Sequence, residues 1–444
     1  MIIKVRFMEL LIYAEYLSPR LEYVLNYIFR DCYGCPFSVT DQETVYSPHE
    51  GPGINYSGKY GLDGFRIPVS GFLAEDCIRK IRPLPELSGK VPRLFWNEKE
   101  SDIPYDVFSA VFYMISRYEE YLPYEPDHHG RFDAGCSLAM KYDFLETPVV
   151  DHWVRELQLK LESRFPELNL SSGTFRFQPT SDIDLPFAIL HRGVLRRVGA
   201  NIRASLKRNG ESELRRAVLS GELRDPYDTF DEMRRIHAER GLKPIIFFLT
   251  SGYGRYDKSI SPRNQTFREM VGYIMKFGRP AIHPSYRSAG KPAILQKEIR
   301  ILSSITGTEV QDSRQHYLKF NLPESYRLYL EAGISNEYSM GYASHCGFRA
   351  GTSKPFHFYD LEKETETRLK IIPFQVMDRT LKDYMKLSPL SAVEHIKKLV
   401  DAVRSVDGTF ISIWHNDAFS DRGEWEGWKV VYLEMLNYIQ QVGD

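Results

Sequence analysis

Apolar positions fall into two textures along the chain. In the first 165 residues they repeat at helical spacing or sit in short extended runs. Met8, Leu10, Leu11, Tyr13, Tyr16 and Leu17, then Leu21, Tyr23, Val24, Tyr27 and Ile28, suit a helix facing a core. Residues 38–75 are rich in Thr, Ser, Gly, Pro and Tyr, with short extended pieces around Phe65 to Val69, which predicts small strands and turns. Val107, Ala110, Val111, Met114 and Ile115 predict a helix over 104–122, broken by Pro123. Asp127-His128-His129-Gly130-Arg131-Phe132 reads as a polar loop, and 149–163 as another helix.

The run Phe-Pro-Glu-Leu-Asn-Leu-Ser-Ser-Gly at 165–173 interrupts this pattern as a linker does. It divides the chain into a smaller α+β domain at 1–165 and a second domain at 174–444. Beyond it, apolar strands alternate with helical stretches, the mark of a parallel α/β sheet. Strands are expected over 174–180, 244–250, 280–283, 310–316 and 410–414. Helices are expected over 227–240, 265–277, 292–306, 322–333, 391–405 and 424–441. A helical insert at about 187–226 is strongly basic, from Arg192 to Arg224. It suits a cap or a seat for an anionic ligand, or simply a solvated helical face.

Composition narrows the function. The 444 residues suggest two to three domains. Lys+Arg number 58 against 59 Asp+Glu, a net charge of -1, which excludes nucleic-acid binding through a globally basic surface. Glu9 and Glu15 interrupt the apolar N-terminus, so no secretory signal is expected. No run approaches the ~20 apolar residues of a membrane span. Five cysteines, an odd number in a long chain, argue against a disulfide framework, and Cys32-Tyr33-Gly34-Cys35 has no second pair to complete a zinc site. These points set the expectation of a cytoplasmic protein without membrane or nucleic-acid partners. Aromatic residues reach 13%, which serves a large core or a sugar-binding surface equally well.

In a parallel sheet, ligands collect at the carboxyl ends of the strands. Four strand ends carry polar residues: Asp182 and Asp184, His283, Arg314 with His316, and His415. Asp182 and Asp184 are two apart, so in extended chain both face one side. Two carboxylates that close need a cation or a shared proton to coexist, or else they cap backbone amides in a turn. Histidines at strand ends beside them are candidate ligands for zinc or a similar ion. His415 is placed to act as an acid or base.

These residues, in this order, resemble the polysaccharide deacetylases of the NodB-homology fold (carbohydrate esterase family four), over about 174–441. Thr180-Ser181-Asp182-Ile183-Asp184 is similar to the family's Thr-Phe-Asp-Asp-Gly, with one residue between the acids. His283-Pro284-Ser285-Tyr286-Arg287 is similar to His-Ser/Thr-x-x-His, with Arg287 in place of the second histidine. Arg314-Gln315-His316-Tyr317 resembles Arg-Pro-Pro-Tyr, and Ser412-Ile413-Trp414-His415 a Leu-x-x-His strand end. Ser339 to Tyr342 and Gly347 to Thr352 resemble a branch with an extra N-terminal domain of unknown function.

The resemblance implies a distorted (β/α) barrel and a metal-dependent hydrolase of a carbon–nitrogen bond other than a peptide bond, removing acetyl groups from an N-acetylated saccharide. It implies Asp182 as base, Asp184 and His283 as ligands of a divalent metal such as zinc, Arg314 as the partner of the base, the Tyr317 amide at the oxyanion, and His415 as acid. With Arg287 in place of a ligand, His316 is the expected third donor. Two alternatives stand beside this: a non-catalytic sugar-binding protein on a degenerate deacetylase scaffold, and a hydrolase of another C–N bond. Arg349 and Trp414 are candidate sugar contacts or, equally, structural residues.

Overall fold

Leu10–Ala14 forms a strand, β1, where apolar spacing suggests a helix. β1 has a parallel neighbour on each side, β2 and β3, and that pairing decides its conformation. With β2 (Phe37–Thr40), β3 (Gly53–Tyr56) and β4 (Phe65–Arg66) it makes a sheet in the order β2-β1-β3-β4. All its pairings are parallel, so this half is α/β in character rather than the expected α+β. The helix begins later, at Pro19–Leu25, where Ser18 caps it by accepting from the Leu21 amide. The computed structural model describes residues 9–98, 100–171, 173–191 and 211–443.

The helix Val107–Ile115 is buried at every position and capped by Asp106, whose carboxylate accepts from the Ser109 amide at 3.0 Å. It is shorter than expected because Arg117 turns left-handed (φ 55°). Tyr118–Tyr121 then continues as a 3₁₀ turn. Two buried arginines grip that turn. Arg117 Nε donates to Glu120 at 2.7 Å, and Arg349 donates to the same carboxylate at 2.9 and 2.6 Å. Of the two readings of Arg349, sugar contact or structural residue, the structural one holds: it is a buried tie between the two halves. One apolar cluster also spans them: Tyr23 and Phe112 pack on Tyr359 with ring centroids 4.9 and 5.2 Å apart.

The second sheet comprises β5 (Arg176–Ile183), β6 (Ile245–Phe248), β7 (Arg279–Ile282), β8 (Asp312–Ser313), β9 (Asn336–Glu337), β10 (Phe356–Asp360), β11 (Thr365–Ile371), β12 (Val376–Met377) and β13 (Thr409–His415). Their order is β10-β11-β9-β8-β7-β6-β5-β13-β12, and every pairing except β10 with β11 is parallel. The expected α/β alternation is present, with helices at 230–238, 265–274, 292–306, 324–331, 389–404 and 428–443. The antiparallel pair β10–β11 was not expected. The strand expected over 310–316 shrinks to β8, two residues long.

Alternation along the strands sorts side chains to two faces. Ile246, Phe248 and Ile282 join the main core, whereas Ile245, Phe247 and Ala281 form a separate cluster with Tyr338. Ile411, Ile413, Phe374 and Met377 form another, and Ile372 packs against both. Strands β11 and β12 stand second and last in the sheet, yet only residues 372–375 separate them in sequence. Within that link the Ile372 amide donates to the Glu337 carbonyl at 2.8 Å and the Gln375 amide to the Ile411 carbonyl at 3.1 Å.

Among the described residues no helix is long and apolar enough to cross a membrane. The five cysteines are free, Cys32 and Cys35 included. Much of the basic insert, 192–210, lies outside the described residues. Of its described part, Arg224 pairs with Asp228 and Asp231.

Candidate metal centre and cleft

The parallel register brings the strand ends level. His415 on β13 is opposite Asp182 on β5, Asp182 is opposite Phe247 on β6, Phe248 is opposite Ile282 on β7, and Ile282 is opposite Ser313 on β8. The residues at or just beyond these positions are Asp182, Asp184, His283, Arg314, His316 and His415. All except Arg314 line one cleft of about 360 Å³.

Asp184, His283 and His316 offer ligand atoms that lie within 4.8 Å of one another. His283 Nε2 is 3.1 Å from Asp184 Oδ1, and His316 Nε2 is 3.2 Å from Asp184 Oδ2. The rings are fixed from behind. His283 Nδ1 lies 2.6 Å from the Arg314 carbonyl, which accepts only if Nδ1 carries the proton. His316 Nδ1 lies 3.0 Å from Asp257 Oδ1 and donates to it. Both Nε2 atoms then face Asp184 and would offer their lone pairs to a cation bound there. A carboxylate or carbonyl behind a histidine is the usual arrangement at a metal. Asp184 Oδ1 is buried without a hydrogen-bond partner, 3.1 Å from His283 Nε2. The donor set therefore fits a divalent cation, and one carboxylate with two imidazoles suits zinc with an open position.

Electrostatics agree. Asp182, Asp184, Asp257 and Asp378 stand within or behind the site, with Arg314 paired to Asp182. Burial would pull His316 down, but Asp184 and Asp257 push it up to about 9. His415 is likewise lowered by burial and pushed up, chiefly by Asp378 and then by Asp184 and Asp182, to about 10. Burial would raise Asp184, yet the two imidazoles hold its carboxyl well below the usual range. The carboxylates around His283, His316 and His415 favour positive charge there, from protons or from a cation, while Arg131, Lys258 and Arg379 line other parts of the cleft.

Asp182 is apart from this trio. Its Oδ1 accepts from Arg314 Nη1 at 2.7 Å, and its Oδ2 is 3.8 Å from His283 Nε2. Arg314 is fully buried, lies over the Phe247 ring at 4.1 Å and donates from Nε to the Tyr338 carbonyl. His415 Nδ1 is 2.7 Å from Asp378 Oδ1, and its Nε2 lies 3.5 Å from Asp184 Oδ2. Tyr317 lines the cleft in a left-handed conformation (φ 62°).

The structure thus brings together the seven residues singled out for catalysis and metal binding, and leaves Arg349 and Trp414 outside the cleft. It also shows what that reading missed. Asp257 and Asp378 orient the histidines. Asp257 sits nine residues beyond β6, too far along a loop for a strand-end search, and Asp378 follows a two-residue strand that leaves no periodic trace. Arg287 is exposed and sits 3.7 Å from Asp257, outside the trio. Trp414 is fully buried against Tyr432 and does not face the cleft.

Residues 10–166 match a family of unknown function (DUF7033). No curated protein matches the chain. Among solved structures it is similar to a probable polysaccharide deacetylase from Pseudomonas aeruginosa PAO1 (11% identity, 60% of this chain and 85% of that one, TM-score 0.40). It is similar to a family 4 carbohydrate esterase from Streptomyces lividans in complex with acetate (8%, 62% and 91%, TM-score 0.30). It is also similar to a CE4 family pseudoenzyme from Bacillus anthracis (10%, 62% and 67%, TM-score 0.31). At identities of 8–11% the functional argument rests on the site itself.

Proposed function

We propose that this protein is a metal-dependent deacetylase of an N-acetylated saccharide. The observation that carries the reading is the convergence of Asp184, His283 and His316 beside the Arg314-bound Asp182. His316 takes the place of the family's second motif histidine, from a different strand end.

Asp184, His283 and His316 would hold a divalent cation, zinc by the donor set, which would supply Lewis-acid polarisation and a lowered water pKa. Asp182, held by Arg314, accepts the proton of the attacking water. The Tyr317 amide stabilises the developing oxyanion. His415, protonated and oriented by Asp378, donates a proton to the leaving amine. Acetate and a free amine on the sugar result.

The same reading assigns the second sheet to a distorted (β/α) barrel. The short link 372–375 and the two inner apolar clusters that share Ile372 support closure. It assigns 1–165 and 174–444 to separate domains packed on one continuous core.

The test is acetate release from a panel of N-acetylated oligosaccharides by zinc-loaded protein. Release by the wild type and its loss in Asp182→Asn are expected. Stoichiometric metal without release from any N-acetylated sugar would refute deacetylation and favour hydrolysis of another C–N bond or sugar binding alone.

A further inference from the structure

The loop Asp127–Phe132 belongs to the first half of the chain, yet it reaches the cleft. Pro126 and Phe132 pair as a bridge, and Gly130 turns the tip with φ 77°. Asp127 organises the loop: its Oδ1 accepts from the His129 and Arg131 amides at 2.8 and 3.0 Å, and its Oδ2 from Arg131 Nε at 2.7 Å. Arg131, so held, is 6% exposed and donates from Nη1 to the Tyr317 carbonyl at 2.6 Å. His129 packs its ring 5.0 Å from that of Tyr317, and its Nδ1 lies 3.2 Å from the Tyr286 hydroxyl.

Tyr317 and Leu318 are both left-handed, with φ of 62° and 50°. Side chains other than glycine hold such angles only where their surroundings impose them. Here the Arg131 hydrogen bond and the His129 ring do so. The turn immediately follows His316, so its geometry bears on that ligand and, in the deacetylase reading, on the Tyr317 amide assigned to the oxyanion.

We propose that Arg131 is a positioning residue: from the N-terminal half it locks the Tyr317 turn in its reactive geometry. The N-terminal half then forms part of the cleft wall. The inference rests on the deacetylase reading, and two readouts separate them. Hydrogen exchange of the segment 314–320 reports the turn, and kcat with KM reports its use.

In Arg131→Met, exchange of this segment should accelerate at least tenfold. kcat should fall about 100-fold, as for a misplacement of about 1 Å, with KM and metal stoichiometry close to wild type. Asp127→Asn, which keeps the guanidinium but loosens it, should shift both readouts the same way and less, and it carries the test should Arg131→Met not fold. Unchanged exchange or unchanged kcat in a folded variant overturns the proposal. If neither wild type nor variant releases acetate, the deacetylase reading falls and the exchange measurement alone decides whether Arg131 holds the turn.

Discussion

Replacing Asp378 with Asn tests how His415 is made an acid. The Asp378 carboxylate is fully buried and accepts from both Nδ1 and the backbone amide of His415, each at 2.7 Å. Burial alone would lower the histidine, yet it stands at about 10 against an ordinary 6.5. At about 1.4 kcal/mol per pH unit, the imidazolium is favoured by about 5 kcal/mol, with Asp378 the leading upward cause. Asn removes the charge and leaves one acceptor oxygen where Asp378 uses two, so His415 should titrate well below its wild-type value in metal-free protein. An NMR titration of its ring nitrogens reads this directly. The imidazolium form stabilises the wild type fully below pH 6.5, and that stabilisation is lost as pH rises through about 10. Stability of the variant should change far less over this window. In zinc-loaded protein the loss of a well-placed general acid should lower kcat about 10²-fold and move the alkaline limb of the rate profile to lower pH. A His415 that still titrates near 10 in Asp378→Asn would refute the reasoning.

Other outcomes follow from buried groups elsewhere. His237 is buried between the Met233 carbonyl and the Tyr432 hydroxyl, and burial holds it at about 4. Its neutral form contributes about 3 kcal/mol above pH 6.5, lost as pH falls through 4, so His237→Gln should flatten the acid limb of urea-unfolding stability; an unaltered limb contradicts this. Arg314→Met strands the buried Asp182 carboxylate. It should cost about 3–5 kcal/mol in urea unfolding and at least 10² in kcat, and a neutral effect on both would deny the pair its role. Glu120→Gln removes the carboxylate shared by Arg117 and Arg349. It should destabilise by about 3–5 kcal/mol while metal content stays at the wild-type value, and loss of metal would show that this network reaches the site.

The site was more legible than the fold around it. A carboxyl-end search on a parallel sheet needs only strand type and the residue that follows, and Asp182, His283 and His415 satisfy it. His316 was found for the same reason although its strand is only Asp312–Ser313, because Arg314 and His316 stand at a recognisable strand end. Asp257 and Asp378 were not legible: they reach the histidines through a loop and a two-residue strand, and contact across the fold leaves no local spacing. The misread helix at Leu10–Ala14 has a similar cause. A short apolar run fits either period, and the flanking strands that decide it come from residues 37–40 and 53–56. The polar loop 127–132 showed its turn chemistry but not its destination, since Tyr317 is 186 residues from Arg131.

The central claim is that His316 completes a metal site with Asp184 and His283. Elemental analysis of protein reconstituted with zinc and freed of excess, wild type against His316→Ala, tests it most directly. The account predicts one zinc per wild-type chain and a loss of stoichiometric zinc from the folded variant, because two remaining protein ligands hold zinc poorly. Full zinc occupancy in His316→Ala, or none in the wild type, would contradict it.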